Sequence, residues 1–416
     1  MRHLRRRDFL QLTSLTAGAA LLGTRLTLAA VSARRPRFVL ILMRGALDGL
    51  AAVPPYGDRD YAALRGEVAL HAPGAAGGAL RLDDTFGLHP ALGFLAESYQ
   101  ARELIVLHAV ATPYRERSHF DGQDLLENGT VRPHALASGW LNRALGQLPP
   151  PLPRAAGVAL GQNVPLIMRG SAAVTSWSPS RLGAPDEDTL ARLTDLYAGD
   201  ALLAGRLADG LSAATMMAGE SPPAEAMASA AAMGPAGAAP QRAAQARYAQ
   251  LVQAAAGFLR EEEGPRVAVF DTSGWDTHAN QGAAEGQLAS RLRALDEGLA
   301  LLKRALGPAW NDTAVLLVTE FGRTVAVNGT RGTDHGTASA AFLLGGAVAG
   351  GRVLADWPGL APRALYQGRD LQPTLDLRAP FKGILAEHLG VSARALETEV
   401  FPDSAAARPL RGLLRA

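Results

Sequence analysis

The stretch Thr313–Gly346 combines a buried-strand pattern with side chains that can bind metal or transfer protons. Its unbroken apolar run, Ala314–Val318, predicts a strand that is buried on both faces. The acidic, basic and imidazole residues that follow are Glu320, Arg323, Asp334 and His335. Groups placed just past the end of such a strand occupy the usual position of an active site in an open α/β sheet. For Glu320 alone, a helix cap or a turn is the alternative interpretation.

A second candidate pair, Asp276 and His278, follows another apolar run, Arg266–Phe270. Two residues apart in an extended segment, their side chains point the same way. A hard oxygen ligand beside a borderline nitrogen ligand favours zinc or manganese over calcium. The sequence therefore predicts a site for a divalent metal, with Zn or Mn as the ion.

Two further strand ends carry candidate residues. Asp48 follows the apolar run Arg37–Met43, where it can be a metal ligand or an N-cap for the next helix. Ser118 and His119 follow the run Glu103–Val110 and precede a predicted helix. A serine at a helix N-terminus sees the positive end of the helix dipole, which favours its alkoxide, but the same serine can simply be a cap. His119 can be a ligand, a base or a packing residue.

The elements that must position these groups predict an α/β fold. We expect the four apolar runs to lie in one mostly parallel, doubly wound sheet with helices on both faces. Amphipathic periodicity predicts a helix over Gln287–Leu306 and a terminal helix over Leu377–Leu389. The alanine-rich segment 186–260 has helix-forming composition around a Pro/Gly/Met tip, which predicts a helical insertion without chemistry of its own.

The first 33 residues predict export. Arg6-Arg7 precede Phe9-Leu10 and a short, weakly apolar segment, a pattern that resembles a twin-arginine signal peptide and implies the twin-arginine (Tat) machinery as a partner. The expected domains are therefore a signal peptide over 1–33 and an α/β domain over 34–416. This arrangement implies a periplasmic or extracellular location.

Charge and composition exclude other classes. The formal net charge is +2, and residues 1–33 contribute five arginines and one aspartate, so the remainder carries a charge of about −2. This balance gives no support to nucleic-acid binding. No apolar run is long enough to predict a stable membrane span. The chain has no cysteine, so its core or bound ions must supply stability that disulfides would otherwise give.

With these residues collected, the chain resembles the DUF1501 family (domain of unknown function 1501), bacterial proteins that are often Tat-exported. The stretches that carry the resemblance are RGALDGL, PPYGD, RSHFDGQDLLENG, GWLNRAL, SGWDTHANQ, VTEFGRT and TDHGT. That family in turn resembles the alkaline phosphatase/sulfatase superfamily. The resemblance implies a doubly wound α/β sheet with a two-metal site.

The superfamily's residue order implies roles for the candidates. An early Asp, a nucleophile at a helix start, later Asp/His groups and a final His correspond to Asp48, Ser118, Asp276 with His278, Glu320, and Asp334 with His335. In one alignment Asp334-His335 is the paired ligand motif, and no later histidine is suitable. In the other, which we favour, Glu320 occupies that position, His335 is the final His, and the second metal site is incomplete.

The resemblance implies hydrolysis of a small anionic phosphate or sulfate ester. Arg44 or Arg323 would clamp the ester's oxygens, and Ser118 and His119 would take part in catalysis. The opposing hypothesis is an exported binding or assembly protein that kept the fold and lost catalysis, because fold alone does not fix function.

Overall fold

The structure, a computed structural model, describes residues 35–179, 187–217 and 239–415. The predicted signal peptide and its twin arginines therefore lie outside the described residues. From Arg37 to Ala416 the chain forms a single compact unit. Within the described residues, no helix combines the length and the apolar character needed to cross a bilayer.

The strands alternate with helices along most of the chain. The strands are β1 Arg37–Arg44, β2 Leu80–Arg81, β3 Gly87–Leu88, β4 Leu104–Ala111, β5 Gly157–Leu160, β6 Val174–Trp177, β7 Val267–Ser273, β8 Thr313–Val318, β9 Ser339–Leu344, β10 Arg352–Leu354 and β11 Leu375–Asp376. The helices are α1 Gly49–Ala52, α2 Tyr61–Arg65, α3 Gly93–Gln100, α4 His119–Asn128, α5 Trp140–Leu145, α6 Glu187–Tyr197, α7 Ala201–Met217, α8 Ala239–Arg260, α9 Gln287–Leu306, α10 Arg378–Glu387 and α11 Ala393–Ala395.

Nine of these strands form one mixed, mostly parallel sheet. Its order is β10-β4-β9-β8-β1-β7-β5-β6, and β11 also pairs with β4. Only β9 runs antiparallel, to both β8 and β4. All four predicted strands belong to this sheet, which confirms the predicted α/β class.

Both faces of the sheet are covered, as expected for a doubly wound fold. Along β1, Val39, Ile41 and Met43 enter one apolar core, which also contains residues of α8 and α9. The alternate residues Phe38, Leu40 and Leu42 enter a second core, with residues of α5 and α10. This period of two, apolar on both sides, explains why every residue from Phe38 to Met43 is apolar.

The segment 186–260 is helical wherever the structure describes it, in α6, α7 and α8. It is not only a surface excursion, however, because residues such as Val252, Phe258 and Leu259 of α8 are buried in the core against the sheet. The end of this segment therefore helps to build the fold. Residues 180–186 and 218–238 lie outside the described part.

The fold brings several loops to one edge of the sheet. The parallel strands β1, β4, β7 and β8 all end there, so the residues that follow each of them share that edge. Strand β9 is antiparallel, and its beginning, not its end, lies at this edge. His335, which precedes β9, therefore joins residues that follow the parallel strands.

Candidate metal centre

Three histidines from three separate loops meet at this edge. His335 Nε2 lies 3.0 Å from His119 Nε2 and 3.0 Å from His278 Nε2. His119 is the first residue of α4, while His278 and His335 lie in the loops after β7 and before β9. None of the three is fully buried, so the point where the Nε2 atoms meet is open to small molecules.

Asp276 supplies an oxygen to the same point. Its Oδ1 lies 2.9 Å from His278 Nε2 and 3.2 Å from His335 Nε2, and its Oδ2 lies 3.5 Å from His119 Nε2. The buried Arg323 donates to Asp276 Oδ1 at 2.5 Å and fixes the carboxylate. His119, Asp276 and His335 have ligand atoms that all lie within 4.8 Å of one another. We call Asp276 and the three histidines the His₃Asp cluster.

Each imidazole of the cluster is held by an acceptor at its other ring nitrogen. The acceptors of the Nδ1 protons are Glu320 Oε1 for His119 at 2.7 Å, Asp334 Oδ1 for His278 at 3.3 Å, and the Arg117 carbonyl for His335 at 3.0 Å. Ionised carboxylates and carbonyls only accept, so each Nδ1 carries a proton, and in each neutral ring the lone pair is on Nε2. Lone pairs 3.0 Å apart repel unless a proton or a cation lies between them.

The donor set fits a divalent metal ion. Three imidazole nitrogens and one carboxylate oxygen are a common ligand combination for zinc, and less so for calcium. Ligand atoms about 2.0–2.2 Å from a tetrahedral ion lie roughly 3.3–3.5 Å from one another. The separations of Asp276 from the three imidazoles, and of His335 Nε2 from the other two Nε2 atoms, range from 2.9 to 3.5 Å and are close to those values.

Unusual backbone conformations support the cluster. Arg117, whose carbonyl accepts from His335, has a φ of 61° although it is not glycine. Its guanidinium is held by the buried Asp370 at 2.8 Å, which offsets the cost of this left-handed conformation. Gly45 has a φ of 117°, and a Cβ there would lie 2.9 Å from the Asp276 nitrogen. The Gly45 N–H donates to Glu320 Oε1 at 2.9 Å, so glycine is needed both for conformation and for space.

The electrostatics of the cluster follow from these contacts. Burial favours the neutral acid, but the hydrogen bond and charge of Arg323 keep the pKa of Asp276 below its usual value. Burial also opposes ionisation of Glu320, yet its bonds to His119, Gln123 and the Gly45 N–H lower its pKa. The hydrogen bond to Glu320 raises the pKa of His119, whereas burial lowers that of His335. The cluster thus holds ionised carboxylates beside imidazoles.

Glu320 and Asp334 occupy supporting positions. Glu320 is buried, and its oxygens accept from His119, Gln123, Thr319 and the Gly45 N–H. Asp334 is half-exposed and bonds His278 and Asn328. Both carboxylates face Nδ1 atoms instead of the point where the Nε2 atoms meet. The sequence placed both near the site but as ligands, because residue type does not distinguish a ligand from the group that orients it.

Asp48 belongs to a different network. Its side chain accepts from the Ala51 N–H at 3.1 Å, as an N-cap of α1. It also forms a fully buried ion pair with Arg65 and accepts from Gln281 Nε2 at 2.7 Å. The capping alternative therefore describes its contacts, and no described imidazole bonds it.

The contacts of Arg44 bear on its predicted role as a clamp, whereas the role of Ser118 stays a prediction. Arg44 bonds Glu127 at 2.8 Å and Asp271 at 2.6 Å, so its guanidinium is already paired and does not face the His₃Asp cluster as an anion clamp. Arg323 is likewise committed to Asp276. Ser118 occupies the N-cap position of α4, next to His119, but its side chain makes no capping hydrogen bond.

Two contributors were missed in the sequence. Gln123 accepts from Arg44 at 3.1 Å and donates to Glu320 at 3.1 Å, one turn after His119 on α4. The spacing of four residues could have identified it. Arg117 contributes only its backbone carbonyl to the site, which no side-chain pattern could reveal.

The chain belongs to the DUF1501 family, described as proteins of unknown function, whose pattern matches residues 35–400. No curated protein is significantly similar in sequence. Among solved structures, Ps i-CgsB in complex with k-i-k-neocarrahexaose is similar at 10% identity and a TM-score of 0.41, covering 90% of this chain and 77% of that one. The phosphonate monoester hydrolase of Agrobacterium radiobacter is similar at 12% identity and a TM-score of 0.32, covering 86% and 74%. These similarities are too distant to assign a function.

Proposed function

We propose that the chain is an exported metal-dependent hydrolase of phosphate or sulfate esters that holds one divalent ion, zinc in preference to manganese. The observation that carries this proposal is the convergence of three Nε2 lone pairs and one carboxylate oxygen on a single open point. Such a convergence is costly without a positive centre. The ligands would be the four members of the His₃Asp cluster. We propose one ion, not two, because Glu320 and Asp334 face Nδ1 atoms.

An ion held there would lower the pKa of the attacking group and neutralise charge on the transferred group. The residues of the chain do the rest. Glu320 fixes the ring of His119 through Nδ1, and Arg323 fixes the carboxylate of Asp276. Ser118 stands at the positive end of α4, directly before His119, and is our candidate nucleophile. Phe120 follows His119 in the sequence, and its side chain is 87% exposed, so it offers an apolar surface for the substrate.

Metal content and ester hydrolysis test this function together. Elemental analysis of protein from its native export route should give about one zinc per chain. A panel of chromogenic phosphate and sulfate esters should show hydrolysis that a chelator removes and zinc restores. Ser118→Ala should keep the ion and lose hydrolysis, while exposed His71→Ala should change neither. Metal-bound protein without activity on any ester would refute the hydrolase.

The second candidate is a binding or assembly protein that retains the metal centre without catalysis. The specific observation in its favour is that Arg44 and Arg323 are both paired with carboxylates. Neither of these two arginines therefore provides the paired-donor clamp that transfer of an anionic group uses. Metal uptake combined with an inactive ester panel would favour this candidate.

Export through the twin-arginine machinery is part of the proposal. It is supported by Arg6-Arg7 before Phe9-Leu10 and a weakly apolar segment. Replacing both arginines with lysine should retain the precursor in the cytoplasm. Normal processing of that variant would contradict a twin-arginine route to the periplasm or the exterior.

A further inference from the structure

A second concave site lies between helices α8 and α9 and the carboxyl ends of β5 and β7. It is a cavity of about 750 Å³. Its polar lining includes Arg247, Tyr248, Arg291 and Arg293, and its apolar lining includes Phe270 and Trp275. The volume is in the range of cavities that bind small organic molecules.

The cavity carries unbalanced positive charge. Within the described residues, none of the three lining arginines forms an ion pair, and the lining carboxylate, Asp271, is paired with Arg44 at 2.6 Å. Arg291 Nε is shielded from solvent and has no hydrogen-bond partner. The guanidinium of Arg291 lies against Gly274, where a Cβ would be 2.3 Å from its terminal nitrogen. Gly274 thus leaves room for the Arg291 guanidinium, whose nitrogens form no hydrogen bond within the described residues.

Tyr248 forms part of the same wall. Its hydroxyl is shielded from solvent and has no partner among the described residues. Burial raises the pKa of Tyr248, so the hydroxyl stays protonated. The ring is fixed against Gly298, where a Cβ would lie 2.0 Å from it, and its centroid is 6.0 Å from that of Phe270. Because Arg291 Nε and the Tyr248 hydroxyl are both shielded, the donors of these two residues that a bound molecule can reach are the terminal nitrogens of Arg291.

We propose that this cavity binds an organic anion, in which a carboxylate, sulfate or phosphate group is joined to an apolar or aromatic body. The oxyanion would accept from the terminal nitrogens of Arg291, with Arg247 and Arg293 adding charge. The apolar body would contact the partly exposed Tyr248 ring and Pro165. This inference does not depend on the metal centre or on ester hydrolysis.

A pair of matched probes tests the inference on the unaltered chain. Anilinonaphthalene sulfonate carries an aromatic body and an anion, and phenylnaphthylamine has the same body without the sulfonate. Titration calorimetry should show the sulfonate binding at one site per chain, at least about tenfold more tightly than the neutral probe. Equal binding of the two probes would overturn the proposal, because the cavity would then be selecting apolar surface alone.

Variants then locate the bound anion. Arg291→Gln should weaken the sulfonate at least about tenfold, with the neutral probe unchanged. The control is Arg304→Gln, an exposed arginine on the same helix that does not line the cavity. If Arg291→Gln and Arg304→Gln bind the sulfonate equally well, the anion site is not in this cavity and the inference is wrong.

Discussion

Two polar networks at the same sheet edge differ in how the negative charge of their carboxylates and the lone pairs of their imidazoles are neutralised. Asp48, after β1, is neutralised inside the protein by Arg65, and both side chains are essentially inaccessible to solvent. The His₃Asp cluster, after β7 and before β9, gathers lone pairs that no protein cation lies between. The two networks are connected, because Gln281 bonds both Asp48 and Thr333, and Thr333 bonds Arg323.

The comparison shows what distinguishes a candidate metal centre from a structural ion pair. A carboxylate after a parallel strand is present in both, so its position is not diagnostic. What differs is the partner. Asp48 is paired with the guanidinium of Arg65, whereas the imidazoles are bonded to acceptors at Nδ1 and leave Nε2 at a solvent-accessible point. A carboxylate that is neutralised by a buried guanidinium indicates a role in stability. Electron-donating groups that lie together without a positive partner indicate a site for a cation.

The largest expected effect is on the Asp48 network. Asp48→Ala leaves Arg65 buried and unpaired and also removes the N-cap of α1, so the free energy of unfolding should fall by about 3–5 kcal/mol. Urea denaturation measures this loss. Zinc affinity of the folded fraction should be unchanged within about threefold, because Asp48 makes no bond to the cluster.

The control for this prediction is the double variant Asp48→Ala/Arg65→Met. It removes the orphaned charge and should recover part of the lost stability. Loss of zinc binding in Asp48→Ala with little loss of stability would reverse the comparison and make Asp48 a ligand.

The second expected effect is a loss of stability at low pH that depends on His108, near the end of α1. His108 donates to the carbonyl of Val53, at the end of α1, and burial lowers its pKa to about 4. The unfolded chain takes up this proton near pH 6.5, so stability should fall as pH drops from about 6.5 to about 4, by about 3 kcal/mol. His108→Gln should lack this component of the pH dependence. Identical pH profiles of the two proteins in urea denaturation would contradict the assignment.

A smaller effect separates supporting groups from ligands at the metal centre. Glu320→Gln weakens the group behind His119 and should reduce zinc affinity by about 10–100-fold without changing one-to-one stoichiometry. Asp334→Asn, at a half-exposed carboxylate 3.3 Å from His278, should reduce it less. Calorimetric titration checks both variants. Complete loss of binding in Glu320→Gln would make Glu320 a ligand, as the superfamily alignment implied.

Much of the fold was predictable because apolar periodicity is a local property. Every residue from Phe38 to Met43 is apolar, and the structure buries this run on both faces of the sheet. The helix over Gln287–Leu306 was predicted with its observed bounds. The helix that was predicted to follow Ser118 and His119 begins at His119 itself, so this histidine belongs to its first turn. The burial of α8 depends on tertiary packing, which alanine-rich composition does not encode.

The candidate site was predictable by residue type but not by role. Position after a strand placed Asp276, His278 and His335 together, and the extended segment put the first two side by side. The same rule also selected Asp48 and Arg44, since it cannot detect partners such as Arg65 that lie elsewhere in the chain. The acceptor for His335 Nδ1 is the backbone carbonyl of Arg117, which a pattern of side-chain types cannot predict.

Titration calorimetry of zinc into metal-free protein tests the central claim most directly. The unaltered chain should bind one ion per chain, His335→Ala should bind at least about 100-fold more weakly, and exposed His71→Ala should match the unaltered chain. His335 is the informative ligand because its Nε2 contacts both other imidazoles. Absence of zinc binding by the unaltered chain, or equal binding by His335→Ala, would contradict the assignment of the His₃Asp cluster as a metal centre.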